Sequence, residues 1–163
     1  VPVVRTFEAP FWFTEYGNKI LLTVLEKKFR ANYIANTLSE ILFITSGAIA
    51  EAKILPEALR EFHEKNPENT RVIFFDDVDI PNVEKLSLYG EELRNTTLYS
   101  EYLSRGKIWY IVFTVSGTNR VMGLTRNCVV TSFTKMPEPE FVEYIDEIVI
   151  PLIVRSREQG EED

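Results

Sequence analysis

Between Lys107 and Leu124 the chain carries the pattern of a β-hairpin. An apolar run from Lys107 to Val115 is followed by Ser116-Gly117-Thr118-Asn119 and a returning run from Arg120 to Leu124. Turn residues between two such runs predict an antiparallel pair. Cys128 to Phe133 predicts a further strand. Upstream, short apolar runs alternate with helical stretches. Ile41-Leu42-Phe43-Ile44 reads as a strand buried on both faces, and so does Arg71 to Phe75. A helix connecting two strands implies that they run parallel. The expected fold class is therefore α/β: a mixed sheet with parallel first strands and a β-hairpin, covered by helices.

The helices follow from apolar spacing and end signals. Thr14 is read as an N-cap, with Leu21, Leu22, Leu25, Phe29 and Ile34 at three- and four-residue intervals, predicting a helix to Asn36 or Leu38. Pro56 suits a first helical turn, and Asn66-Pro67 closes that helix after Lys65. Asn82 is read as capping a short helix through Leu88, closed by Gly90. The last helix spans Glu140 to Arg155, with Pro151 as a kink, and an acidic tail over 158–163 is expected to be disordered. Residues 1–13 are extended, because Pro2 and Pro10 block helix. Their Phe7, Phe11, Trp12 and Phe13 need a neighbouring element or a partner subunit to cover them. Residues 14–157 are read as one domain.

Composition bounds the function. A chain of 163 residues with 45% apolar and 26% charged residues is an ordinary globule rather than a disordered one. A net charge of -7 argues against direct nucleic-acid binding, which needs a basic surface. The single cysteine rules out an internal disulfide framework and fits a reducing cytoplasm. No apolar run approaches the roughly 20 residues of a membrane span. The first residue is Val1, with no signal-peptide pattern, and a longer protein with an upstream portion is expected.

Chemistry-bearing residues are sparse. Asp76-Asp77-Val78-Asp79 follows the Arg71–Phe75 strand, where carboxylates could hold Mg²⁺ for phosphoryl transfer or hydrolysis, with Thr45, Ser46 and Lys135 as helpers. The same residues are equally at home in turns and caps. Thr45-Ser46-Gly47 offers hydroxyls and backbone N–H groups to an anion, or makes a plain turn. His63 falls near a helix end on a polar face, where the helix dipole explains it. Cys128 reads as a small buried hydrophobe. Tyr89, Tyr99, Tyr102, Trp109 and Tyr110 could line a small-molecule pocket or simply be core. The ligand-binding residues expected from this reading are Thr45, Ser46, Asp76, Asp77 and Trp109, with no catalytic residue, metal ligand or cofactor.

Several stretches together resemble the phospholipase-D-like sensor domain of archaeal TrmB-type transcriptional regulators. They are the helix Tyr16–Leu38 entering Glu40–Gly47, Leu55-Pro56-Glu57-Ala58-Leu59 leading to Thr70–Phe75, the Lys107–Leu124 hairpin, and the helix after Thr131-Ser132-Phe133. The resemblance covers residues 14–155. Catalytic members of that superfamily carry His-x-Lys. Here His63-Glu64-Lys65 has the spacing but sits in a helix, and Ile108-Trp109-Tyr110-Ile111-Val112 has no histidine. The resemblance implies a non-enzymatic effector-binding or dimerisation domain, a cytoplasmic homodimer responding to a small molecule or protein partner, joined upstream to a winged helix. The alternatives are an Mg²⁺-dependent enzyme using Asp76, Asp77 and Asp79, and a structural subunit of a larger assembly.

Overall fold

The computed structural model of the chain describes residues 1–160, with side chains through Arg157. The side chains of the expected acidic tail lie outside the described residues, as do residues 161–163 altogether. Contacts gather the chain into two units, residues 1–51 and from residue 52 on, and the single domain expected over 14–157 spans both. No helix among the described residues is long and apolar enough to cross a membrane.

The first unit is a hairpin followed by a helix. β1 (Phe11–Tyr16) and β2 (Lys19–Val24) pair antiparallel, from Phe11↔Val24 to Tyr16↔Lys19. Gly17 takes a φ of 58° in the two-residue loop, at the position that tight hairpin turns reserve for glycine. The helix expected from Thr14 is therefore corrected. Its leucine spacing also fits a strand, and the turn chemistry of Gly17-Asn18 decides between them. α1 starts only at Lys28 and runs to Phe43. It absorbs most of the strand expected at Ile41–Ile44, since a four-residue apolar run has no period of its own. Ile44 ends the helix in the left-handed region at φ 59°, its N–H donating to the Glu40 carbonyl at 3.0 Å. The buried Ser39 hydroxyl donates to the Thr45 carbonyl at 2.7 Å and accepts from Ala48 N–H at 2.9 Å, pinning the following turn.

The second unit holds a five-stranded antiparallel sheet in the order β4-β3-β5-β6-β7. α2 (Pro56–Lys65) leads into β3 (Thr70–Asp76), as the sequence predicts. The expected parallel first strands are not found: the run read as the strand before α2, Ile41–Ile44, is the end of α1 and its cap, and β3 pairs antiparallel with both of its neighbours. β4 (Leu86–Tyr89) replaces the short helix expected from Asn82. Asn82 has a φ of 63°, a turn conformation rather than an N-cap, and Leu88 pairs with Ile73 across the ladder. α3 (Thr97–Arg105) is capped by Thr96, whose hydroxyl accepts from Tyr99 N–H at 3.1 Å. The predicted hairpin is β5 (Lys107–Thr114) with β6 (Val121–Thr125), and β7 is Val130–Ser132.

Ile73, Leu88, Ile111 and Leu124 share one register row and are all buried, forming the inner face of the sheet. α2 packs on β5 and against the last helix, and its Ala58 and Leu59 are fully buried. That helix comes in three parts: α4 (Glu138–Tyr144), a π turn over Ile145–Val149, and α5 (Ile150–Gly160). Pro151 has no N–H to give to an α-helical ladder, and the wider turn before it takes up the mismatch. The kink expected at Pro151 takes this form.

Candidate functional site

Of the three aspartates at the end of β3, Asp76 and Asp77 are engaged in ion pairs, while the exposed Asp79 carboxylate has none among the described residues. Asp76 holds Arg126 through two hydrogen bonds, of 2.8 and 2.5 Å, and Asp77 pairs with Lys107 at 3.0 Å. Trp109 lies close by, its carbonyl accepting from Arg126 N–H at 2.9 Å. Its ring is 5.9 Å from Phe74 and 5.5 Å from Tyr110, with the Lys85 ammonium 5.2 Å from its centroid. Thr45 and Ser46 belong to the first unit, exposed in the turn after α1. Lys135 is exposed, and Cys128 is half-buried in the turn after β6 at φ 59°. Among the described residues, no group of three His, Cys, Asp or Glu side chains could hold a metal.

The second unit has a cavity of about 340 Å³ that the sequence reading did not find. Four segments build it: the end of α2, the start of β3, the end of β5, and α4 with its π turn. Phe113 and Tyr144 are buried in its wall, and Phe62 and Ile148 are half-buried. Phe62 meets Phe113 edge-on at 5.0 Å, and Phe113 lies 6.4 Å from Tyr144 with the ring planes 29° apart. Thr70↔Phe113 are cross-strand partners, which fixes this corner of the wall. Asn69 donates to the Ser116 hydroxyl at 2.6 Å, closing one side.

The exposed rim is acidic: Glu140, Glu143 and Glu147. Glu140 sits in the first turn of α4, where the helix dipole favours it, and pairs with Arg120 at 2.7 Å. Glu143 and Glu147 lie beyond that turn and have no ion-pair or hydrogen-bond partner among the described residues. Like charges one turn apart cost a helix roughly 0.2–0.5 kcal/mol. The Tyr144 hydroxyl is buried without a partner, and burial pushes its pKa well above the usual phenol range.

Behind the cavity wall stands His63. It is 1% exposed rather than on a polar face, and its Nδ1 lies 2.6 Å from the Thr70 hydroxyl. Burial pushes its pKa down to about 4, so the ring is neutral at pH 7. Its Nε2 has no partner. An orphaned buried N–H is rarer than an orphaned acceptor, which assigns the proton to Nδ1, donating to Thr70. The helix dipole alone does not account for a histidine so placed. A sequence signal for the site does exist: Glu140, Glu143 and Glu147 recur on a helix that has no lysine or arginine between Lys135 and Arg155. The aromatic wall leaves no comparable signal, since Phe62 and Phe113 are far apart in sequence.

Compared with known protein families, curated proteins and solved structures, the chain matches none of them.

Proposed function

We propose that the protein is a non-catalytic effector-binding module that works as a homodimer, in the manner of the sensor part of a transcriptional regulator. The observation that carries this reading is the cavity of about 340 Å³, within the roughly 300–1,000 Å³ range of small-molecule sites, with aromatic walls and a few convergent polar groups. The rival reading, an Mg²⁺-dependent enzyme using Asp76, Asp77 and Asp79, is weakened because two of the three carboxylates are held by Arg126 and Lys107. Dimerisation is supported by the first unit. Phe29, Tyr33, Ile41, Leu42, Phe43 and Ile44 of α1 and its cap are each at least 52% exposed. α1 also carries Lys28 and Arg30 at its start and Glu40 near its end. Two copies laid antiparallel about a two-fold axis would set opposite charges together.

The test is a thermal-shift screen of the whole protein against metabolites and Mg²⁺, run with light scattering. A ligand that binds the folded state raises the melting temperature. A dimer that responds to an organic ligand, with the response lost on Phe113→Ala, supports the reading. A response to Mg²⁺ that disappears in Asp76→Ala would replace it with the enzyme.

A further inference from the structure

We infer that the cavity binds an organic cation, an alkylammonium with an apolar stem. The inference rests on the reading of this cavity as the effector site. Its lining includes no lysine or arginine, and Arg120 nearby is taken up by Glu140, so the unpaired Glu143 and Glu147 leave a negative rim that disfavours a carboxylate or phosphate ligand. Glu143 and Glu147 are explained neither by the helix dipole nor by an ion pair, and both border the opening. Phe62, Phe113 and Tyr144 bring three rings to the same wall. Aromatic faces attract a cation, and more strongly where water is excluded. Tyr144 is 9% exposed and lines the cavity, and its buried hydroxyl has no hydrogen-bond partner. A neutral apolar molecule could use the rings but would leave the two carboxylates idle. An ammonium on a short alkyl stem uses both. The π turn places Glu147 and Ile148 beside the opening, and such turns often mark functional positions.

The experiment is a titration of the full chain, followed by amide NMR, with three probes of equal length: pentylammonium, 1-pentanol and pentanoate. Pentylammonium is expected to shift the resonances of Phe113, Tyr144 and Ile148 and to bind about tenfold more tightly than 1-pentanol, while pentanoate does not bind. The exposed Glu143 and Glu147 can be changed without disturbing the core. Glu143→Gln with Glu147→Gln should bring pentylammonium down to the affinity of 1-pentanol and leave 1-pentanol unchanged. If 1-pentanol binds as tightly as pentylammonium at the same residues, the cation inference fails and the effector cavity stands. If none of the three probes moves these resonances, the inference and the reading beneath it both fall.

Discussion

His63 loses its ordinary titration range because its ring is enclosed, bonded to Thr70 and set edge-on to Tyr99 at 5.1 Å. In the unfolded chain the imidazole takes a proton near 6.5, but in the fold only near 4. Between those values the unfolded state binds the extra proton. Stability is therefore full above about pH 6.5 and falls as the pH drops toward 4. The expected loss from this group between pH 7 and pH 5 is about 2 kcal/mol. Chemical denaturation at the two pH values measures it, and His63→Gln should flatten the difference even though it lowers stability overall. A second close constraint is at Gly123, where an added Cβ would stand 2.5 Å from the Tyr110 hydroxyl. Tyr110 cannot swing away freely, because it stacks on Phe74 at 5.1 Å. Gly123→Ala should cost about 1–3 kcal/mol in a denaturant melt, and much less in a Tyr110→Ala background.

The elements differ in how much of themselves they reveal in sequence. α2 and β3 carry clear period and end signals, and both were legible within about two residues. So was the β5–β6 hairpin, whose turn residues Ser116-Gly117-Thr118-Asn119 leave little choice. The hairpin of the first unit is less legible, because Leu21 and Leu25 stand four apart, a spacing that fits one face of a helix and one side of an extended chain alike. The Ile41–Ile44 run was misread because nothing in four apolar residues separates a strand from a helix end. At this scale the acidic segment after β3 gives its own prediction. The Asp76–Arg126 pair ties β3 to the turn after β6, with the two side chains 23% and 30% exposed. Asp76→Asn should lower stability by about 1–2 kcal/mol, equally with and without Mg²⁺. A melting temperature that rises with Mg²⁺ only when Asp76 is intact would contradict that structural role.

For the molecule as a whole, the two units are built on unequal cores. Every buried apolar residue among the described residues lies at Ile54 or beyond, while the first unit buries only Ser39. A segment of this size without an apolar core is marginal alone. Light scattering is expected to give the mass of two chains, and Phe29→Asp with Ile41→Asp should return it to one. The melting of the second unit should be unchanged by those substitutions, because its core includes neither residue. By itself the sequence determined the local pieces, since period, caps and turn chemistry act over a few neighbours. It also showed the charge balance and the scarcity of histidine and cysteine. Only the tertiary structure decided that the sheet is antiparallel throughout, that Asp76 faces Arg126, and that Phe62, Phe113 and Tyr144 meet under Glu143 and Glu147. Those outcomes depend on pairings such as Thr70↔Phe113 between residues far apart in the chain, which no local pattern records.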